Sequence, residues 1–255
     1  MSNPSALSAG IRPRGINFHD RVTVFGRSGS GKSELVNCIA SAARCQKILV
    51  DTKDEFTVAG VVPVYRPEDM QWGQQIIHII DGDCSAKSIE AIFQTIWQHR
   101  RGRAAAPYSI IVIAHELSDL CEEQPNRTPR HVSKIAKQGR NQGVVIFGAS
   151  QRPVGMPRAC RTEIQHSMTF PDLDPDDLEV AAKIHRIPLR DFERILNTHR
   201  EQYGKHGFLW TDLGTGASVL MPPLPDHIRA RNFARGLDPS ILTLPTPTRG
   251  RSLTE

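Results

Sequence analysis

The chain has no apolar run approaching the ~20 residues that a membrane-spanning helix needs, so no spanning segment is expected. Its first stretch, Met1–Arg14, holds neither an apolar core nor a cleavage pattern, and no secretory leader is expected. Cysteine pairs are missing too. The five cysteines (Cys38, Cys45, Cys84, Cys121 and Cys160) are odd in number, scattered and without a CxxC spacing. They read as reduced, partly buried thiols, not as a disulfide framework or a zinc site. No internal repeat is present. These absences exclude helical membrane proteins, disulfide-stapled secreted modules and repeat scaffolds, and a cytoplasmic protein is expected.

What is present is ordinary in bulk. Hydrophobic residues make up 39% and charged residues 23% of the 255 residues, a balance that suits one large α/β domain. The formal net charge of +5 is compatible with a polyanionic partner such as nucleic acid. Arg100, Arg101 and Arg103 cluster, and Arg229, Arg231, Arg235, Arg249 and Arg251 populate the C-terminal stretch. A solvated charged surface explains each cluster equally well.

Apolar patterning predicts alternating strands and helices. Val22–Phe25, Ile48–Asp51, Ile76–Ile80, Ile110–Ala114 and Val144–Ala149 read as short buried strands, with Val61–Tyr65 as a further candidate. Helical spacing covers Lys32–Ala43, the face Ile89, Ile92, Phe93, Ile96 and Trp97 after a Ser85 cap, Arg130–Gly139, and the face Leu189, Phe192, Ile195 and Leu196. Asp174-Pro175-Asp176-Asp177 reads as a helix start, with an Asp cap, Pro at the first position and acids facing the dipole. Phe208–Thr211 and Ala217–Leu220 flank a glycine-containing turn and predict a hairpin. The expected organisation is a flexible arm over 1–15, one domain over 16–221 and a Pro/Arg-rich extended tail over 222–255. Such alternation gives a mainly parallel sheet, with ligands at the carboxyl ends of its strands.

One segment at that edge carries specific chemistry. Gly26-Arg27-Ser28-Gly29-Ser30-Gly31-Lys32-Ser33 matches GxxxxGK[ST] in full. The pattern arises by chance in roughly one chain of this length in a hundred. Glycines let a loop wrap phosphate with its N–H groups inward, and the following helix aims its positive end at the same anion. Lys32 is expected on the β and γ phosphates, and Ser33 on Mg²⁺. ATP and Mg²⁺ are therefore the expected ligands.

A second strand ends Ile113-Ala114-His115-Glu116. Glu116 is a candidate for activating water; a helix-start carboxylate is the plainer reading. His115 stands where Asp would usually support the metal, and neutral imidazole is a poor ligand for hard Mg²⁺. Two readings stay open. In one, Ser33, the phosphates and an acid such as Asp51 hold the metal; in the other, hydrolysis is slow or conditional. The pair is not an HExxH zinc motif, because Asp119 takes the last position.

Four segments in order, GRSGSGKS, ILVDTKDEF, IIVIAHEL and KQGRNQGVVIFGASQRP, resemble the FtsK/HerA superfamily of P-loop ATPases. Phe170 through Ile184 is similar to that family's post-sheet strand and helix, so the resemblance spans about 17–196. It implies a RecA-like (ASCE) α/β fold with a central mainly parallel sheet flanked by helices, plus the hairpin and tail. It implies that Gln151, beside the phosphate-loop strand, senses the γ-phosphate, and that Arg140 is a finger acting on a neighbouring subunit's ATP. A polar strand terminus and a solvated helix-end cation are the plainer readings of these two residues. The resemblance further implies a ring, commonly a hexamer, around double-stranded DNA. The short chain fits the viral genome-packaging branch best, with capsid or vertex proteins as partners and the host cytoplasm or virion as location.

Three functions remain at this point: an ATP-driven double-stranded DNA translocase, a nucleotide-dependent assembly scaffold with little turnover, and a small-molecule kinase. Arg100–Arg103 and Cys121–Arg130 are candidates for touching DNA.

Overall fold

Short β-branched runs bounded by turns form the strands, because a strand covered on both faces must be apolar at successive positions. The computed structural model describes residues 13–83, 85–102, 109–116, 118 and 128–234. Eight strands form one sheet: β1 (Val22–Phe25), β2 (Gln46–Asp51), β3 (Ile76–Ile80), β4 (Ile110–Ala114), β5 (Val144–Ser150), β6 (His166–Thr169), β7 (Phe208–Asp212) and β8 (Ala217–Met221). Their order across the sheet is β3-β2-β4-β5-β1-β6-β7-β8. The first six pair in parallel; β7 and β8 are antiparallel to their neighbours. The fold is the expected RecA-like α/β arrangement with its C-terminal hairpin.

Seven helices connect or flank the described strands: α1 (Lys32–Ala42), α2 (Ala86–Arg100), α3 (Arg130–Gln138), α4 (Arg158–Arg161), α5 (Pro175–His185), α6 (Leu189–Tyr203) and α7 (Asp226–Arg229). Strand alternation sends the apolar residues to two faces. Ile110, Val112 and Ala114 join a core with Ile89, Phe93 and Ile96 of α2 and Val132 and Ile135 of α3. Ile111 and Ile113 join the opposite core with Leu35 and Val36 of α1. A third cluster sets Ala181 of α5 and Phe192 and Leu196 of α6 against Leu209 of β7. Ser85 caps α2 as expected, its side chain accepting from the Ser88 N–H.

Four expectations change. Val61–Tyr65 is not a strand: Val64 makes one parallel bridge to Ile79, and Val62 and Tyr65 lie exposed. The strand expected from Phe170 lies just before it, as β6, whose sequence HSMT hides a buried strand behind polar side chains. Asp174 holds the N-cap position of α5 but makes no cap hydrogen bond; its carboxylate pairs with Arg27 of the phosphate loop. Arg100 is not a solvated cation: it is buried, and its Nε donates to the Gln142 carbonyl at 3.0 Å.

Arg14, at the end of the expected arm, bonds Asp20 and Asp212. Residues 222–234 pack along α1, with Phe233 fully buried in the second core. Residues 1–12 of the arm, residues 235–255 of the tail, Arg103, and residues 119–127 lie outside the described residues, as do Cys84 and Cys121. Cys38, Cys45 and Cys160 are buried thiols, not disulfide partners. Among the described residues no helix is long and apolar enough to cross a membrane.

Candidate active site

The phosphate loop follows β1 directly. A Cβ on Gly26 would lie 2.6 Å from Ser30 Oγ and 2.9 Å from Phe170 Cβ, so close packing against the end of β6 demands glycine there. Gly31 takes the N-cap position of α1 at φ 103°, a left-handed conformation that glycine adopts without a clash. No side chain caps α1. Its first-turn N–H groups therefore stay available to an anion, at the positive end of the helix dipole. Ser30 Oγ is buried and without a partner. This donor-rich cradle fits a triphosphate.

Glu116 closes the site from β4. It adopts φ 52°, uncommon for a residue with a side chain and a mark of functional turns. Its Oε1 lies 3.1 Å from Lys32 Nζ and 3.6 Å from Lys53 Nζ. Gln151 donates to the same carboxylate twice, from Nε2 at 2.9 Å to Oε1 and from its backbone N–H at 3.2 Å to Oε2. Burial pushes the Glu116 carboxyl up, but the Gln151 hydrogen bond and the Lys32 and Lys53 charges outweigh it and hold the group below its ordinary range. Three sequence-predicted residues, Lys32, Glu116 and Gln151, thus share one hydrogen-bonded cluster.

His115 is buried beside them, stacked on Phe56 with ring centroids 4.3 Å apart. Burial lowers its pKa to about 4 despite nearby Asp51 and Glu116, so the ring is neutral at pH 7. Its Nε2 lies 3.1 Å from Asn37 Oδ1 and must be the donor, because that oxygen only accepts. The alternative acid, Asp51, is occupied. Its carboxylate accepts the N–H groups of Lys53, Glu55 and Phe56 and meets His78 Nε2 at 3.2 Å. It shapes the turn that carries Lys53 towards Glu116. No cluster of three His, Cys, Asp or Glu suits a metal among the described residues. If Mg²⁺ is held here, the hard oxygen it needs would come from the Ser33 hydroxyl and from the phosphates themselves.

Arg140 lies apart. It sits exposed in the short 3-10 turn Gly139–Gln142 that precedes β5, while Gln151 follows β5. The seven residues of β5 separate the two by about 20 Å. Arg140 therefore cannot reach the phosphates of its own chain.

Two participants were missed. Lys53 is legible only as part of the DTKDEF segment. Asp177, a first-turn acid of α5 as read, also accepts the Val154 N–H at 3.0 Å and meets Arg152 Nε at 3.5 Å. It pins the turn after Gln151. Nothing in the local pattern distinguishes it from Asp176.

No protein-family model matches the chain, and a search of curated proteins finds no match. Solved structures do match. The genome packaging NTPase B204 of Sulfolobus turreted icosahedral virus 2, in complex with ATP-γ-S, superposes with a TM-score of 0.63 at 16% identity, covering 82% of this chain and 100% of that one. VirB4 of Thermoanaerobacter pseudethanolicus gives 0.61 at 9% identity, covering 84% and 94%. The pCW3 conjugation coupling protein TcpA, with ATP-γ-S, gives 0.52 at 16% identity, covering 84% and 65%. The chain thus shares the fold of these structures, with the phosphate loop, Glu116 and Gln151 gathered at the carboxyl edge of its own sheet.

Proposed function

We propose that the protein is an ATP-driven translocase of double-stranded DNA, working as a ring, with viral genome packaging as its setting. The observation that carries the ATPase reading is the Glu116 carboxylate, held beside the phosphate-loop Lys32 and bonded to Gln151. Lys32 and the N–H groups of the loop and α1 hold the triphosphate. Glu116, kept ionised, accepts a proton from water or orients it towards the γ-phosphorus, and Gln151 fixes that carboxylate. Ser33 would hold Mg²⁺ together with the nucleotide, and the ion would supply charge neutralisation at the phosphates. Arg140, too far from its own site, acts on a neighbouring copy's ATP, which is why a ring is part of the reading. The fold's likeness to a packaging NTPase and a conjugation coupling protein supports DNA as the polymer moved.

ATP hydrolysis measured with and without double-stranded DNA tests this. Turnover stimulated by DNA is the expected result; ATP binding without turnover in either condition overturns it. That second outcome would select the assembly-scaffold reading, which neutral His115 favours by withholding an oxygen ligand from Mg²⁺.

A further inference from the structure

At the end of β4 one imidazole has the hydrogen bonding of a metal ligand. His115 is 4% exposed, and its two nitrogens are treated differently. Nε2 donates to Asn37 Oδ1 at 3.1 Å, which fixes the tautomer. Nδ1 is then a bare lone pair, buried and without a partner. The stack on Phe56 holds the plane of the ring. Metal-ligating histidines share this pattern: one N–H is anchored on an oxygen, and the other nitrogen is left for the ion.

The pattern alone does not make a site. His199 on α6 shares it, with Nε2 on the Met221 carbonyl at 2.8 Å and Nδ1 without a partner, but it stands packed against Tyr203. Position sets His115 apart. Asn37 follows Ser33 by four residues on α1, so the two side chains lie one turn apart on one helix face. The Asn37 bond thus brings the His115 ring to within about one helical turn of the hydroxyl that the phosphate loop offers to an ion. The neighbouring carboxylates are already engaged, Glu116 by Lys32 and Asp51 by three backbone N–H groups and His78. Among the described residues no group of three His, Cys, Asp or Glu could hold a metal. An ion here therefore arrives with the triphosphate, which supplies its oxygen ligands. Mg²⁺ gains little from a nitrogen donor, because it demands hard oxygen. Imidazole suits borderline first-row ions instead, with affinity rising from Mn²⁺ to Co²⁺.

We propose that His115 sets the ion specificity of the site: Nδ1 is a ligand for a borderline divalent transition-metal ion that enters with the triphosphate, in preference to Mg²⁺. The proposal rests on the reading that the loop binds a triphosphate, and it alters the ion, not the nucleotide. The residue that withholds oxygen from Mg²⁺ thereby supplies nitrogen to another ion.

The test is calorimetric binding of AMPPCP to the full-length chain with Mg²⁺, Mn²⁺ or Co²⁺ as the sole divalent ion, for the wild type and His115→Asp. The wild type should bind at least about tenfold more tightly with Co²⁺ than with Mg²⁺, with Mn²⁺ between them. His115→Asp should lose that preference, because a carboxylate returns hard oxygen to the same place. Pulsed electron paramagnetic resonance of the wild-type Mn²⁺–AMPPCP complex should show a nitrogen coupling that changes on isotope labelling of histidine and is absent from His115→Asp. Equal wild-type affinities for all three ions, or no histidine-derived coupling, overturn the proposal and leave the phosphate-loop reading standing. A His115→Asp protein that keeps the wild-type ion preference overturns it as well. A wild type that binds AMPPCP with none of the ions sinks the phosphate-loop reading, and the proposal with it. The wild-type coupling decides even if His115→Asp fails to fold.

Discussion

Two buried histidines occupy the two halves of the sheet, and the protein treats them differently. His185 lies between α5 and the β6–β7 pair. Its Nδ1 is 2.6 Å from Thr211 Oγ1, and its Nε2 is 2.7 Å from Thr169 Oγ1 and 3.1 Å from Ser167 Oγ. Both nitrogens are satisfied by hydroxyls that can donate or accept. His115, at the end of β4, has one nitrogen on Asn37, while its Nδ1 and Asn37 Nδ2 are buried without partners. Burial holds both rings neutral, His115 near pKa 4 and His185 near 3. Around His185 the antiparallel half saturates its buried polar groups, as a structural core does. The carboxyl edge of the parallel half leaves groups open and crowds opposite charges around Glu116, as a site whose contacts are completed by ligand does. Changes at the first should act on stability, and changes at the second on chemistry.

The largest effect that separates them is Glu116→Gln. Turnover should fall ~10²–10⁴-fold, with ATP affinity retained, in a steady-state hydrolysis assay paired with a binding titration. Unchanged turnover would remove Glu116 from the chemistry and break the comparison at its active end.

His185→Leu should act the other way. Stripping the ring from three buried hydroxyls should destabilise the fold by roughly 3 kcal/mol, read as a melting-temperature drop of about 10 °C. Turnover per folded molecule should not change; a fall in turnover with the melting temperature intact would contradict the structural role.

Acid sharpens the same contrast. Above pH 6.5 both the folded and unfolded chains keep these histidines neutral, and no stability is lost. Below it the unfolded chain takes up protons that the folded chain refuses, so stability falls until the folded pKa is reached, about 4 for His115 and about 3 for His185. His185 alone should account for about 2 kcal/mol lost between pH 6.5 and 5. Urea midpoints for wild type and His185→Leu should show that the variant loses less on acidification. Equal losses would mean that His185 is not held neutral.

The smallest expected effect is His115→Leu, about 1 kcal/mol. The Asn37 hydrogen bond and the ring stack on Phe56 are lost, and a partnerless nitrogen goes with them. A cost equal to that of His185→Leu, in the same urea titration, would erase the distinction between the two halves.

The strands of the parallel half were legible because each is a short apolar run, and periodicity reports burial on both faces. β6 was misplaced because burial there is achieved by hydrogen bonding. Ser167 and Thr169 bond His185, and His166 meets Asp20 at 3.2 Å. A polar strand buried by pairing carries no hydrophobic signal. Val61–Tyr65 failed for the opposite reason: Val62 and Tyr65 are exposed, and only Val64 bridges to the edge strand β3. Among site residues, Lys32 and Gln151 were read from motifs, whereas Lys53 and Asp177 act only through a turn or a distant helix that brings them to the site.

The phosphate cradle was determined by sequence alone, because eight contiguous residues fix its dihedrals and place its lysine at the start of the next helix. Everything that completes the site depends on register and packing between distant segments. The sheet order set β5 between β1 and β4 and so joined Gln151 to Glu116 and Lys32. The length of β5 put Arg140 on the far edge. The packing of residues 222–234 on α1 turned the start of a proline-rich stretch into a wall beside the loop. A local pattern can specify a turn, but only the tertiary structure decides which side chains meet across it.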